Sequence, residues 1–254
     1  MDLTIKAHGK TDVGQVRSTN QDSFLLDEKE RLYIVADGMG GHAGGEIASK
    51  LCVDKISEFL GDYDKLFKAD KDRTHPDARI SNTMVNAINH ASTKIYEKAL
   101  ENPSLRGMGT TATVCKVIAG QAYIAHVGDS RAYLIRCGYI YQVTHDHSLV
   151  SEQVRAGILT KEEAELHHLR NVITRSVGYQ EEEDVDTTAI ALEDGDLLVM
   201  CSDGLHGPVT DKEISQLTCD SNTEAVEKLI DLANERGGDD NITVVIINVK
   251  VSGK

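Results

Sequence analysis

The stretch Arg31-Leu-Tyr-Ile-Val-Ala-Asp-Gly-Met-Gly-Gly-His-Ala-Gly-Gly-Glu46 constrains this chain more than any other. Residues 32–36 are apolar in unbroken succession, rich in β-formers and followed by a glycine cluster, which is how a buried strand reads. Asp37 stands where the strand ends. The glycines over 38–45 let the backbone turn tightly and come close to something small. Residues from Glu46 onward then open a helix. A carboxylate at a strand end, above a glycine loop, is a place to hold a cation.

The other elements are expected as follows. Residues 3–8 alternate weakly, as a half-buried strand would. Residues 23–27 form a strand that pairs with the one ending at Asp37, across the charged turn Glu28-Lys29-Glu30. Apolar stripes at helical spacing over 45–60 and 77–100 predict two amphipathic helices. The charged stretch 62–76, which ends on Pro76, reads as a surface loop between them. The period then changes. Residues 110–118, 121–127, 131–136 and 139–143 are short β runs separated by Ala119-Gly120, Gly128-Asp129-Ser130 and Cys137-Gly138, all tight-turn chemistry. That predicts an antiparallel meander rather than a βαβ series. A short helix is expected over 147–156, strands over 185–191 and 196–201, helices over 211–217 and 223–236, and a final strand over 241–249. Residues 157–180 are polar and irregular, with at most two short helical patches. An irregular segment of that length suits a flap. No repeat, low-complexity tract or linker interrupts residues 1–254, so one domain is expected.

Composition narrows the function. Among 254 residues, 40% are hydrophobic and 27% charged, as in a soluble globular protein. The net charge of -14 argues against a general nucleic-acid surface and suits carboxylates gathered around metal. The cysteines Cys52, Cys115, Cys137, Cys201 and Cys219 are widely spaced and odd in number, which predicts reduced thiols, a cytoplasmic setting and no zinc site. The N-terminus has no apolar signal core, and no run approaches the ~18 apolar residues of a membrane span.

The strand-end acid recurs. Residues 197–204 are a second apolar strand ending in Asp203-Gly204. Gly237-Gly-Asp-Asp240-Asn241 is a glycine turn with acids before the last strand. Val127-Gly-Asp129-Ser-Arg131 reads as an acidic hairpin turn, and Asp22 lies at a strand start. One Asp-Gly is an ordinary turn. Five acids at strand ends, brought together, repel one another unless cations neutralise them. Hard oxygen donors without His or Cys suit Mg²⁺ or Mn²⁺. Two such ions can activate a water and clamp a phosphoryl group for in-line attack. Arg17 offers a planar fork for phosphate oxygens. Gly38-Met-Gly40-Gly-His-Ala43 also matches the G-x-G-x-x-A dinucleotide fingerprint, but without the βαβ context that gives the motif meaning.

Taken together, Arg17-x-x-Asn20-Gln21-Asp22, Val35-Ala-Asp37-Gly-Met-Gly-Gly-His-Ala-Gly, Gly109-Thr-Thr-Ala-Thr113, Ala125-His-Val-Gly-Asp129-Ser-Arg131, Leu198-Val-Met-Cys-Ser-Asp203-Gly204 and Gly238-Asp-Asp240-Asn241-Ile-Thr-Val resemble the metal-dependent protein phosphatases of type 2C, and most closely the stand-alone bacterial serine/threonine phosphatases. The motifs run in the family's order over nearly the whole chain. The resemblance implies an α+β fold, a four-layer αββα sandwich of two antiparallel sheets flanked by helices. It implies hydrolysis of phosphoserine and phosphothreonine in proteins, with two Mn²⁺ or Mg²⁺ ions at one edge and a third beside them. By motif position Asp37 bridges the two ions, the Gly38 carbonyl binds one, and Asp203 and Asp240 complete the other. Asp129 joins Asp203 at the third. Asp22 orients the attacking water, Arg17 binds phosphate, and 157–180 is the flap. The implied setting is a cytoplasmic monomer acting on phosphorylated proteins, a serine/threonine kinase among them.

One position departs from the family. Many eukaryotic members place His directly after the Asp-Gly, where it protonates the leaving oxygen; here that residue is Met39. His42 and a water on the third ion are the two alternatives for that proton. Thr110, Thr111 and Thr113 are expected to pack beside the site, and Ser130 has no partner base. His145, His147, His167 and His168 are expected at the surface or in turns. The run Glu181-Glu-Glu-Asp184 is expected to face solvent. Two rival readings carry different substrates or none. One is a phosphatase dedicated to a single regulator, disfavoured because no sensor segment is visible. The other is a silent binding protein, disfavoured because Asp37, Asp203 and Asp240 are all retained.

Overall fold

The computed structural model describes residues 2–41, 44–61, 76–218 and 223–252. The apolar run at 32–36 lies in β3 (Leu32–Met39), between β2 (Asp22–Asp27) and β5 (Ala112–Ile118), antiparallel to both. Its side chains alternate between two cores. Leu32, Ile34 and Ala36 face α1 (Gly44–Leu60) and α2 (Pro76–Glu101), against Ala48, Cys52, Ile56, Ala87 and Ile88. Tyr33 and Val35 face the other way, toward a second sheet. Both faces are buried, so the strand reads as continuous apolar sequence instead of alternating. Each such aliphatic side chain contributes about 1.5–3 kcal/mol by leaving water.

The first sheet has the order β2, β3, β5, β6 (Gln121–Val127), β9 (Asp186–Ala191), with β4 (Gly109–Thr110) beside the end of β3. The second has the order β1 (Asp2–Asp12), β11 (Ile242–Ser252), β10 (Leu197–Cys201), β7 (Arg131–Arg136), β8 (Tyr139–Gln142). β11 repeats the logic of β3. Val245, Ile247 and Val249 point to the first sheet, while Ile242, Val244 and Ile246 point to a helix layer that includes α7 (Thr223–Glu235). α6 (Asp211–Thr218) shares that layer through Ile214. The layers are helix, sheet, sheet, helix, as the resemblance implied. Between β8 and β9 lie α3 (Leu149–Arg155) and α4 (Lys161–Glu165), and α5 (Asp203–His206) follows β10.

The structure corrects some expectations and agrees with others. The strand expected over 110–118 breaks at Thr111, because the Asp37 N–H donates to the Thr111 hydroxyl (2.9 Å) in place of a ladder carbonyl. The four runs from 110 to 143 are not one meander. β5–β6 belong to the first sheet and β7–β8 to the second, so Gly128-Asp129-Ser130 crosses between sheets and is no hairpin turn. The strand expected over 3–8 extends over Asp2–Asp12, because β11 pairs with it along its full length. Over 157–180 one five-residue helix forms, started by a capping box between Thr160 and Glu163. The glycine motif at 38–43 leaves an antiparallel strand, so it has no dinucleotide-binding context. The loop expected at 62–76 lies outside the described residues up to 75, as do His42 and Cys219.

Candidate metal centre

The ladder between β2 and β3 sets Asp22 opposite Asp37. Asp37 is fixed through its backbone. Its N–H donates to the Thr111 hydroxyl, and its carbonyl accepts from the Thr111 N–H (2.8 Å) and the Thr110 hydroxyl (2.8 Å). Next to it, Gly38 runs between two backbones. A Cβ there would lie 2.1 Å from the Gly45 carbonyl oxygen and 2.5 Å from that of Gln21, so no side chain fits. The glycine run therefore serves close approach of β3 to the start of α1.

From the second sheet, β10 ends at Cys201, and Ser202 leads into Asp203 at the start of α5. Buried Asp22 is held across the sheets by hydroxyls. Its Oδ2 accepts from Ser202 (2.8 Å) and from Thr243 (2.6 Å), while its Oδ1 is shielded from solvent and unpartnered. Asp203 Oδ1 is likewise shielded and unpartnered. Asp240 lies at the rim, where Arg17 Nη2 donates to its Oδ2 at 2.7 Å; both side chains are substantially exposed.

The electrostatics follow from this crowding. Burial pushes the Asp22 carboxyl up to about 7, opposed by its two hydroxyl donors and reinforced by the charges of Asp203 and Asp240. Asp37 is driven well above the carboxylate range, first by burial and then by Asp22, Asp203, Asp129 and Asp240. Asp129 rises to about 7 through burial and the charges of Asp203 and Asp146. Asp203 rises through burial and Asp240. All five sequence-derived acids thus lie within electrostatic reach, and Arg17 joins them through Asp240.

A divalent cation fits this donor set. It would satisfy the orphaned oxygens and cancel the mutual repulsion, and the donors are hard oxygens. No three His, Cys, Asp or Glu side chains among the described residues close into a finished cage. Mg²⁺-like ions do not need one, since they keep several waters and take only one or two carboxylates each.

Other residues at the site were not singled out as functional from the sequence. Asn241 donates from Nδ2 to the Val13 and Thr19 carbonyls and accepts the Gln21 N–H, stapling the loop that carries Arg17. Ser202 and Thr243 hold Asp22. His206 donates Nε2–H to the Asp129 carbonyl (2.9 Å), and burial lowers its pKa to about 4, which favours the neutral ring near neutrality. His147, expected at the surface or in a turn, lies outside helix and strand but is wholly buried, with its ring accepting the Gly128 N–H. His145 and His168 are exposed as expected, His167 is half-buried, and residues 181–184 are largely exposed. Ser130 is buried with its hydroxyl on that of Thr111, 2.7 Å away. Arg131 forms a bidentate pair with Asp146.

The family model for protein phosphatase 2C matches residues 14–243. The chain belongs to the protein phosphatase 2C family. The phosphatase is 37% identical over 246 residues to protein phosphatase PhpP of Streptococcus pneumoniae, covering 94% of this chain and 95% of that relative. It is 35% identical to serine/threonine phosphatase stp of Listeria innocua, covering 95% and 94%. Its fold matches the catalytic domain of serine/threonine phosphatase PstP, solved with two manganese ions. The TM-score there is 0.85 at 33% identity, over 98% of this chain and 100% of that one.

Proposed function

We propose that Asp37, Gly38, Asp203 and Asp240 hold two Mn²⁺ or Mg²⁺ ions at the sandwich edge, and that Asp129 with Asp203 takes a third. The chain is a metal-dependent serine/threonine protein phosphatase that hydrolyses phosphoserine and phosphothreonine in proteins. One observation above all supports the site assignment: two shielded carboxylate oxygens, on Asp22 and Asp203, lack partners amid acids that repel one another. Ions bound there supply a water of lowered pKa and positive charge against the phosphoryl oxygens.

The chain's own residues do the rest. Asp22, with Oδ2 tied down by Ser202 and Thr243, presents Oδ1 to accept a hydrogen bond from the attacking water and so orient it. Arg17 stands at the rim, where its guanidinium, held by Asp240 through Nη2, can offer its remaining N–H groups to a phosphoryl oxygen. The water oxygen joins phosphorus as the water gives up a proton, the bond to the seryl or threonyl oxygen breaks, and that oxygen takes up a proton to leave as the alcohol.

In this reading residues 1–254 act as one catalytic domain, with 157–180 as its flap. The phosphatase works as a cytoplasmic monomer on phosphoproteins and opposes a serine/threonine kinase. The thiols of Cys52, Cys115, Cys137 and Cys201 are free, in keeping with a reducing compartment. Among the described residues no helix is long and apolar enough to cross a membrane.

The test is hydrolysis of p-nitrophenyl phosphate and of a phosphothreonine peptide with Mn²⁺, with Mg²⁺ and with chelator, for wild type and Asp203→Ala. Turnover should need metal and vanish in the variant. Turnover that survives both chelator and substitution would refute the site.

A further inference from the structure

The carboxylate of Asp22 closes a ring of hydrogen bonds that begins on its own main chain. The Asp22 N–H donates to Asn20 Oδ1 (3.0 Å), and Asn20 Nδ2 donates to the Thr11 hydroxyl (2.8 Å). The register of β1 on β11 sets Thr11 opposite Thr243, with the two hydroxyl oxygens 2.7 Å apart. The Thr243 hydroxyl then donates to Asp22 Oδ2 at 2.6 Å. The direction of every bond is determined. A main-chain N–H can only donate, so the Asn20 atom facing it is the oxygen, and its amide nitrogen is left for Thr11. An ionised carboxylate can only accept, so the Thr243 proton points at Asp22, and the proton between the two threonines belongs to Thr11.

The ring crosses both sheets, since Thr11 and Thr243 lie in the second and Asp22 opens a strand of the first. Thr243 acts twice on the same oxygen. Its N–H donates to the Ser202 hydroxyl (2.9 Å), which in turn donates to Asp22 Oδ2 (2.8 Å). Oδ2 is therefore occupied from two sides, and Oδ1 is left shielded and unpartnered. The end torsion of an aspartate is soft, so without these donors the two oxygens would exchange places. The Thr243 hydroxyl is itself a rotor. What keeps its proton on Asp22 is the proton that Thr11 delivers to its lone pair, and bonds that run one way polarise and strengthen each other.

We propose that Thr11 is a positioning residue for the hydrolytic step: acting through Thr243, it holds the Asp22 carboxylate in the orientation that turns Oδ1 to the attacking water. The proposal rests on the reading of Asp22 as the group that orients this water. Thr11 is half-buried in a strand, where a β-branched residue packs well. Packing and hydroxyl therefore make opposite demands on a replacement. Valine keeps the branch and loses the donor; serine keeps the donor and loses the branch.

The experiment measures kcat and KM for a phosphothreonine peptide at saturating Mn²⁺, beside calorimetric titration of Mn²⁺ into each variant of the whole chain. Asp22→Ala should lose most of kcat; a wild-type kcat there would overturn the reading of Asp22 and, with it, this proposal. Thr243→Val should lower kcat roughly thirtyfold, the scale of a hydrogen bond to a charged group, and Thr11→Val roughly fivefold, the scale of one between neutral groups. In both, KM and Mn²⁺ affinity should stay as in wild type. Thr11→Ser should retain most of the wild-type kcat although serine is the poorer strand former. In the Asp22→Ala background Thr11→Val should change nothing further. A merely structural threonine would give the opposite order, with serine worse than valine in denaturation midpoint and in kcat alike. Serine no better than valine, an unchanged kcat in either valine variant, a loss spread over KM and Mn²⁺ affinity, or a further loss in the Asp22→Ala background overturns the role of Thr11 while leaving Asp22's own standing.

Discussion

The two ends of β10 hold carboxylates under opposite rules. At its start Asp196, 1% exposed, accepts a two-pronged grip from Arg136, with Nε to Oδ1 at 2.8 Å and Nη2 to Oδ2 at 2.7 Å, and the Glu193 N–H besides. At its end Asp203 meets other acids and has an oxygen with no partner. Both ends lie in the same sheet and are made by the same chain within eight residues. Where the fold needs a buried acid for its own sake, it provides an arginine. Where it leaves acids facing acids, the missing charge must come from outside, and folding stability is given up for a site that a cation completes.

The strongest way to break this comparison is to delete one acid from each end. Asp203→Ala should cost roughly a thousandfold or more in turnover, the scale of losing a group that organises charge in the transition state. It should leave the metal-free protein as stable or more so, since a repelling charge has gone. Asp196→Ala should do the reverse, costing about 3 kcal/mol by removing the two-pronged acceptor of Arg136 and the acceptor of the Glu193 N–H, with turnover per folded molecule unchanged. Urea denaturation beside phosphopeptide assays reads both. If both substitutions destabilise and neither abolishes turnover, the contrast is false.

pH sharpens it. Asp22 and Asp129 rise from 3.8 to about 7 on folding. Between those values the folded chain holds more protons than the unfolded one. Stability in chelator should therefore fall as pH rises from about 4 to about 7, by up to about 1.4 kcal/mol per pH unit for each such group. Denaturation midpoints at pH 5 and 7.5 test this. Asp22→Asn should flatten the slope, and saturating Mn²⁺ should remove it. A stability that climbs with pH in wild type and is untouched by Asp22→Asn would contradict the charge balance described above.

The smallest expected effect concerns Arg17. Its ion pair with Asp240 is exposed and contributes little to stability. Arg17→Lys should lower kcat/KM roughly tenfold, the value of one charge-assisted hydrogen bond, with no change in denaturation midpoint. A loss of stability without a loss of kcat/KM would make Arg17 a structural group.

This contrast also explains what the sequence could and could not reveal. Strands β3, β10 and β11 were legible because both their faces are buried, which writes continuous apolar runs. Asp37, Asp129, Asp203 and Asp240 were legible because each sits at the end of such a run or beside a glycine turn, and Asp22 because it starts the strand paired with β3. The helpers were not. Ser202 and Thr243 reach Asp22 from 180 and 221 residues away, and no local spacing announces such a contact. His147 looked like a turn residue because its partners, Gly128 and Asp186, come from distant segments. The crossing at Gly128-Asp129-Ser130 was misread because the glycine that permits a hairpin also permits a change of sheet. Local chemistry names the acids; only packing says which of them are left without a counter-charge.

The central claim is that the acids at the end of β10 are completed by cations, and anomalous scattering from a Mn²⁺-loaded crystal tests it most directly. The account predicts strong peaks between Asp37, Asp203 and Asp240, a weaker one beside Asp129, and none near Asp196. Peaks absent from the Asp37–Asp203 edge, in protein shown to be active with Mn²⁺, would contradict it.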